Sequence, residues 1–241
     1  MSRYTKPEWS KSALINIDTQ RDTLDGQPFE IPGTSAVIPR MTALLQAFRR
    51  AHKPIIHIVR LYRPDGSNVD LCRRELVEQG ASLVVAGTPG SQLAPDLFPR
   101  VGLELDADLL ISGGIQILGA NEVVIYKPRW GAFYNTPLDQ HLRKEDVQTL
   151  VFCGCNFPNC PRTSVYEASE RDFRLVLAED AISGLYEQGK REMQNIGVGL
   201  LSTDQVIDAM RKNDRMAYRF EWDAANRRAP QAKRSLHKKT S

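Results

Sequence analysis

No stretch of the 241 residues approaches the roughly 18 to 20 uninterrupted apolar residues of a membrane span, so no membrane partner is expected. The opening Met1-Ser2-Arg3-Tyr4-Thr5-Lys6 lacks the apolar core of a signal peptide, which makes a cytoplasmic address the expectation. Cysteine is scarce. Of its four residues, Cys153, Cys155 and Cys160 share one segment instead of spreading as a disulfide framework would, and reduced thiols are expected. The spacing Cys153-x-Cys155-x4-Cys160 offers three thiols, but zinc normally takes four ligands and no nearby histidine supplies the fourth. Neither a metal nor a cofactor is therefore expected. No Gly-x-Gly-x-x-Gly follows the first apolar run, which argues against a dinucleotide-binding module. Internal repeats are absent as well.

Charge gives little direction. The formal net charge is +3, but Arg227, Arg228, Lys233, Arg234, Lys238 and Lys239 lie in a tail (226–241) that holds no acid, and without those six the remainder stands at −3. Such a tail is usually solvated and disordered, so no nucleic-acid partner is expected.

Apolar runs alternate with helically patterned stretches, the signature of βαβ units around a parallel sheet. Strands are predicted over 13–17, 55–59, 123–126, 147–154 and 174–178, with a short last one near 205–207. Helices are predicted over 37–51, near 69–79, from Cys160 onward, and over 187–197. Pro161 supports the third of these, because the N–H it lacks would have no partner in a first helical turn. The expected fold is one doubly wound, mainly parallel six-stranded sheet flanked by helices, a Rossmann-like three-layer α/β domain over 12–210. Residues 60–121 are the least regular and read as a substrate-covering segment.

In open parallel sheets ligands bind beyond the carboxyl ends of the strands, so polar residues that end apolar runs are the ones to inspect. Asp18 ends the first strand, Lys127 ends the 123–126 strand, and Cys160 opens a helix after the 147–154 strand. A thiol of pKa about 8.5 needs a base or a positive field to become a nucleophile. Lys127 and the helix N-terminus offer the field and Asp18 offers the base, so a lowered thiol pKa is expected at Cys160. Backbone N–H groups in the turn before the helix would stabilise an oxyanion. Taken singly, each residue also has a structural reading: a small buried hydrophobe for Cys160, a helix cap for Asp18, a solvated cation for Lys127.

The segments Ala13-Leu14-Ile15-Asn16-Ile17-Asp18-Thr19-Gln20-Arg21-Asp22, Val124-Ile125-Tyr126-Lys127-Pro128-Arg129-Trp130-Gly131-Ala132-Phe133 and Gly154-Cys155-Asn156-Phe157-Pro158-Asn159-Cys160, with Glu179-Asp180-Ala181 downstream, resemble the isochorismatase-like cysteine hydrolases in order and spacing over roughly 12–207. The resemblance implies Asp18 as general base, Lys127 as the positive partner, and Cys160 as the nucleophile that forms a thioester. It also implies a cis peptide between Cys155 and Asn156, an oxyanion hole from the N–H groups of Asn156 and Cys160, and a homo-oligomer, dimer or tetramer. Phe157 and Pro161 replace the family's usual Thr and Val, so a different pocket wall is expected. The nicotinamidase branch's metal ligands after the second strand are missing, and His57 inside that strand reads as core.

Trp130, Phe133, Tyr134 and Phe157 flank the trio as candidates for an aromatic pocket, with Arg60, Arg63 or Arg162 to meet a substrate carboxylate or carbonyl. Core packing of Phe133 and plain surface exposure of the arginines are the competing readings. The run 156–164 resembles a branch acting on ureido, biuret-like or cyclic amides, including streptothricin hydrolase. The expected activity is hydrolysis of a C–N bond in a small amide, ureide or cyclic amide through an acyl-thioenzyme. An isochorismate-type vinyl-ether hydrolase and a catalytically silent binding protein of the same fold stand as alternatives.

Overall fold

A computed structural model describes residues 2–213 of the chain; the expected basic tail, 226–241, lies outside them. One sheet organises these residues, in the order β3-β4-β2-β1-β5-β6-β7. The strands are β1 (Ser12–Ile17), β2 (Ile55–Val59), β3 (Ile115–Gly119), β4 (Glu122–Tyr126), β5 (Thr149–Gly154), β6 (Arg174–Ile182) and β7 (Gly199–Leu201). All pairings are parallel except β3 with β4. The helices are α1 (Thr34–Arg50), α2 (Leu71–Glu78), α3 (Ala107–Ile111), α4 (Leu138–Lys144), α5 (Cys160–Ser169) and α6 (Glu187–Asn195), with residues 203–213 also helical.

Strand periodicity divides the core in two. Ala13, Ile15, Ile17, Ile56, Ile58 and Phe152 pack on one face with residues of α4, α5 and α6. Leu14, Ile55, Val151 and Cys153 pack on the other with Met41, Leu44, Leu45 and Phe48 of α1. Covered on both faces, β1 and β5 are buried at every residue, which is why they read as mostly apolar runs instead of alternating apolar and polar residues.

The sheet has seven strands where six were expected. Edge strand β3, unpredicted, lies antiparallel on β4, with Gly113 and Gly114 before it and Gly119 in its last position. The last strand is β7 at 199–201, and 205–207 belongs to a helix. Ser202 and Gln205 form a reciprocal capping box: Gln205 Oε1 accepts from the Ser202 N–H at 2.8 Å and Ser202 Oγ from the Gln205 N–H at 3.3 Å. Val206 and Met210, four apart, then bury on the helix's inner side.

His57 lies inside the sheet as part of a buried polar chain. Its Nδ1 is 3.1 Å from Asn16 Nδ2 and its Nε2 2.8 Å from Glu122 Oε1, while Arg49 holds both Glu122 oxygens at 2.7 Å. Burial alone would raise the Glu122 pKa, but the hydrogen bonds from Arg49 and His57 outweigh it and pull the value down to about 2. A depressed carboxylate pKa contributes stability above the unfolded value of about 4.3 and loses it as pH falls toward the folded one. Glu122→Gln is accordingly expected to cost about 3 kcal/mol at pH 7, with the gap to the parent protein closing between roughly pH 4 and pH 2. Urea unfolding of both proteins at pH 7 and pH 3 checks this; a gap independent of pH would refute the charge-based account.

Candidate active site

Asp18, Arg60 and Lys127 each follow the last residue of a strand (β1, β2 and β4), all at the carboxyl edge of the sheet. Asp18 turns the chain with a left-handed φ of 49° and donates its N–H to Ile58 O at 2.8 Å. Lys127 is fully buried, and β2 separates its strand from β1, so its long side chain must span the intervening strand. Its Nζ meets Asp18 Oδ2 at 2.8 Å, Cys160 Sγ at 3.2 Å and Arg129 O at 3.1 Å, a partner for each of the three donors of an ammonium group.

Cys160 is the first residue of α5, with Pro161 directly behind it. The turn leading to it starts at Gly154, whose φ is +125° and where a Cβ would sit 2.2 Å from Ile17 O; only glycine allows β5 to approach β1 so closely there. The Cys155–Asn156 peptide is cis, as the resemblance implies. Among the described residues, the backbone N–H groups of Asn156 and Cys160 find no acceptor in the protein.

The Cys160 thiol is not held as a thiolate. Burial pushes its pKa up and the nearby Asp18 charge adds to that; Lys127 and Arg60 oppose them only in part, and the value reaches about 12. The expectation of a lowered pKa is thus corrected: it counted the cations and the helix end but not desolvation. Asp18 Oδ1 is buried and finds no hydrogen-bond partner among the described residues, which leaves it open to receive a proton.

Above the trio is a cavity of about 290 Å³ lined by Asp18, Asn156 and Cys160, by Arg60 and Trp130, and by residues from three further segments. Five predicted substrate contacts lie elsewhere. Phe133 is in the core, 6.0 Å from the Phe173 ring, and Tyr134 is half exposed. Phe157 is fully buried, its ring 5.5 Å from Tyr186 and filling the space where a Cβ on Gly189 would go. Arg162 pairs with Glu192 and Tyr186 on the outer side of α5. Arg63 lines a different cavity. Pro161 is buried too, so neither it nor Phe157 forms the cavity wall they were expected to alter.

The apolar wall comes instead from Phe29 and Ile31 before α1, and from Leu76, Leu83 and Val84 in and after α2. The latter three fall inside the irregular 60–121 segment read as a substrate cover, but Phe29 and Ile31 carry no periodic signal. Arg73 also lines the cavity, its guanidinium 4.8 Å from the Trp130 ring. No cluster of three or more His, Cys, Asp or Glu able to hold a metal occurs among the described residues, and none of their helices is long and apolar enough to cross a membrane.

Residues 12–105 and 114–205 match the family model of the isochorismatase domain. An Arabidopsis thaliana protein named "probable inactive nicotinamidase" is 26% identical over 197 residues, covering 79% of this chain and 91% of its own. Ureidoacrylate amidohydrolase of Methylobacterium radiotolerans is 28% identical over 186 residues, 69% of this chain and 65% of its own. The crystal structure of an isochorismatase family protein from Desulfovibrio vulgaris superposes with a TM-score of 0.71 at 31% identity, over 83% of this chain and 98% of that one.

Proposed function

Because the chain belongs to the isochorismatase family, we propose that it hydrolyses the C–N bond of a small amide or ureide, with Cys160 as nucleophile, Asp18 as general base and acid, and Lys127 as the cation that binds both. One observation carries the reading: a single buried ammonium nitrogen touches, at 2.8 Å and 3.2 Å, the carboxylate and the sulfur of two residues that line the cavity.

With the thiol protonated in the resting enzyme, sulfur attacks the carbonyl carbon while its proton passes to Asp18 Oδ1. The carbonyl oxygen becomes an oxyanion received by the free N–H groups of Asn156 and Cys160, and Lys127 offsets the charge as it moves from Asp18 to the reacting centre. The tetrahedral intermediate collapses with cleavage of the C–N bond as Asp18 returns the proton to the leaving nitrogen, which departs as ammonia or an amine and leaves a thioester on Cys160. Water, deprotonated by Asp18, then attacks the thioester, and the carboxylic acid leaves as the thiol is restored.

A relative carrying the word "inactive" keeps the silent binding protein in view. That reading requires a broken or blocked trio, whereas here Lys127 faces Cys160 and an open cavity lies above them. The test is a panel of small amides and ureides assayed for ammonia release, with intact-protein mass spectrometry of quenched reactions. A substrate-dependent mass increase confined to the peptide containing Cys160 is expected. Ammonia release with no acyl adduct under rapid quench, and no loss of rate when Cys160 is alkylated, would defeat the covalent mechanism.

A further inference from the structure

Arg60 is 97% buried, yet only one end of its guanidinium is used. Nη1 donates to Asp70 Oδ2 and to Pro128 O, whereas Nε and Nη2 are buried and have no hydrogen-bond partner among the described residues. Those two nitrogens share the side-on edge of the guanidinium, the pair of parallel donors that matches two oxygens of a carboxylate. Leaving two donors of a buried cation unsatisfied is costly, and because Arg60 is one of the residues that line the cavity, its unpaired edge points to a group that arrives from outside.

The surrounding charge selects its sign. Asp70 is the common partner of Arg60, Arg73 and Arg129, three guanidinium groups around one carboxylate. The Tyr62 hydroxyl that donates to Asp70 stays neutral, its pKa raised to about 12 by burial and by that hydrogen bond. Asp18 is already matched by Lys127, and among the described residues the only other acid lining the cavity is Glu30, exposed at its rim with one oxygen held by the Gly26 N–H. The excess is positive on the Arg60 side, and Phe29, Ile31, Leu83 and Val84 leave the remaining wall apolar.

We propose that the substrate carries a carboxylate in addition to its scissile amide, and that the Nε/Nη2 edge of Arg60 grips this carboxylate and so sets which carbonyl reaches Cys160. The inference rests on the amidohydrolase reading for the identity of the scissile group, but its own test requires no turnover. Arg60 is in this sense a specificity residue, held in place by Asp70.

The probes are ω-carbamoyl carboxylates with about one to four methylenes between amide and carboxylate, each paired with the neutral diamide of the same length. Binding is measured by calorimetry on the full chain carrying Cys160→Ala, so that nothing is consumed. For at least one length the acid should bind roughly tenfold to a hundredfold more tightly than its diamide, the range of a charge-assisted bidentate pair. Arg60→Lys keeps a cation opposite Asp70, and so the fold, but has no two-donor edge; it should lose at least about tenfold of that preference. If no acid outbinds its diamide, or if the preference survives Arg60→Lys and vanishes instead in Arg73→Gln, the assignment is overturned. Failure of the amidohydrolase reading would look different: carboxylate preference intact in the calorimeter, with no ammonia released by the unmodified enzyme.

Discussion

Turnover of any amide substrate is expected to fall by about three orders of magnitude or more in Cys160→Ala and Cys160→Ser, while Cys153→Ala keeps most of it. In the proposed mechanism sulfur is the atom that bonds to the carbonyl carbon, so alanine removes the step itself. Serine leaves a harder-to-deprotonate oxygen where burial and the Asp18 charge already oppose an anion. Cys153, only seven residues away, is on β5 with its side chain in the opposite layer, against α1, and its sulfur is 3.7 Å from Asn16 Oδ1. Its loss should appear in stability, through a small buried cavity, and not in kcat. Steady-state kinetics on the three variants, with melting temperatures to verify folding, checks the assignment. Residual activity near the parent level in either Cys160 variant would end it.

The second large effect has two parts of opposite sign. Asp18→Asn should lower kcat by about 10² to 10⁴, because Asp18 is the carboxylate held beside the sulfur by Lys127, whereas Glu30, the other carboxylate among the described residues that line the cavity, is exposed at its rim. The same change should make Cys160 easier to alkylate. The Asp18 charge helps to raise the thiol pKa, and Lys127 and Arg60 work to lower it, so removing the carboxylate leaves the two cations unopposed. In the parent protein, alkylation by iodoacetamide should climb about tenfold per pH unit from pH 7 to 10 without levelling off, as for a thiol with a pKa near 12. In Asp18→Asn the profile should move to lower pH, and in Lys127→Ala to higher pH. Site-resolved mass spectrometry separates Cys160 from Cys72, the exposed cysteine. If Asp18→Asn slows alkylation along with turnover, the carboxylate does not oppose the thiolate, and the account of the site's electrostatics fails.

The trio was legible because each member follows an apolar run, and in a parallel sheet that position is the carboxyl edge where ligands bind. Its internal geometry was not. Strand order is a tertiary property, and nothing in the run Val123 to Lys127 reveals that β2 intervenes before Asp18 is reached. Among the four aromatic candidates, nearness in sequence was a poor guide. Trp130 reaches the cavity, but Phe133 and Phe157, equally close to the trio, face the packed layer, because a turn or a helix directs successive side chains to different sides. The strand predicted at 205–207 failed for a local reason: the Ser202–Gln205 capping box and the four-residue spacing of Val206 and Met210 are helix signals, which a short apolar pair within a polar stretch obscures.

The sequence by itself determined the parallel α/β class, through mostly apolar strands that a sheet covered on both faces accommodates, and it singled out Cys160, Asp18 and Lys127 as candidates, through their places after those strands and through the family resemblance. Tertiary structure alone decided three things. It set the protonation of Cys160, since desolvation depends on everything packed around the sulfur and outweighs two nearby cations. It built the cavity wall from the loop at residues 29–31, from Leu76 on α2 and from Leu83 and Val84 after it, which share no pattern and meet only in the folded chain. And it left one edge of the buried Arg60 guanidinium without a partner, a property that arises from where Asp70 and Pro128 come to rest and that no residue spacing encodes.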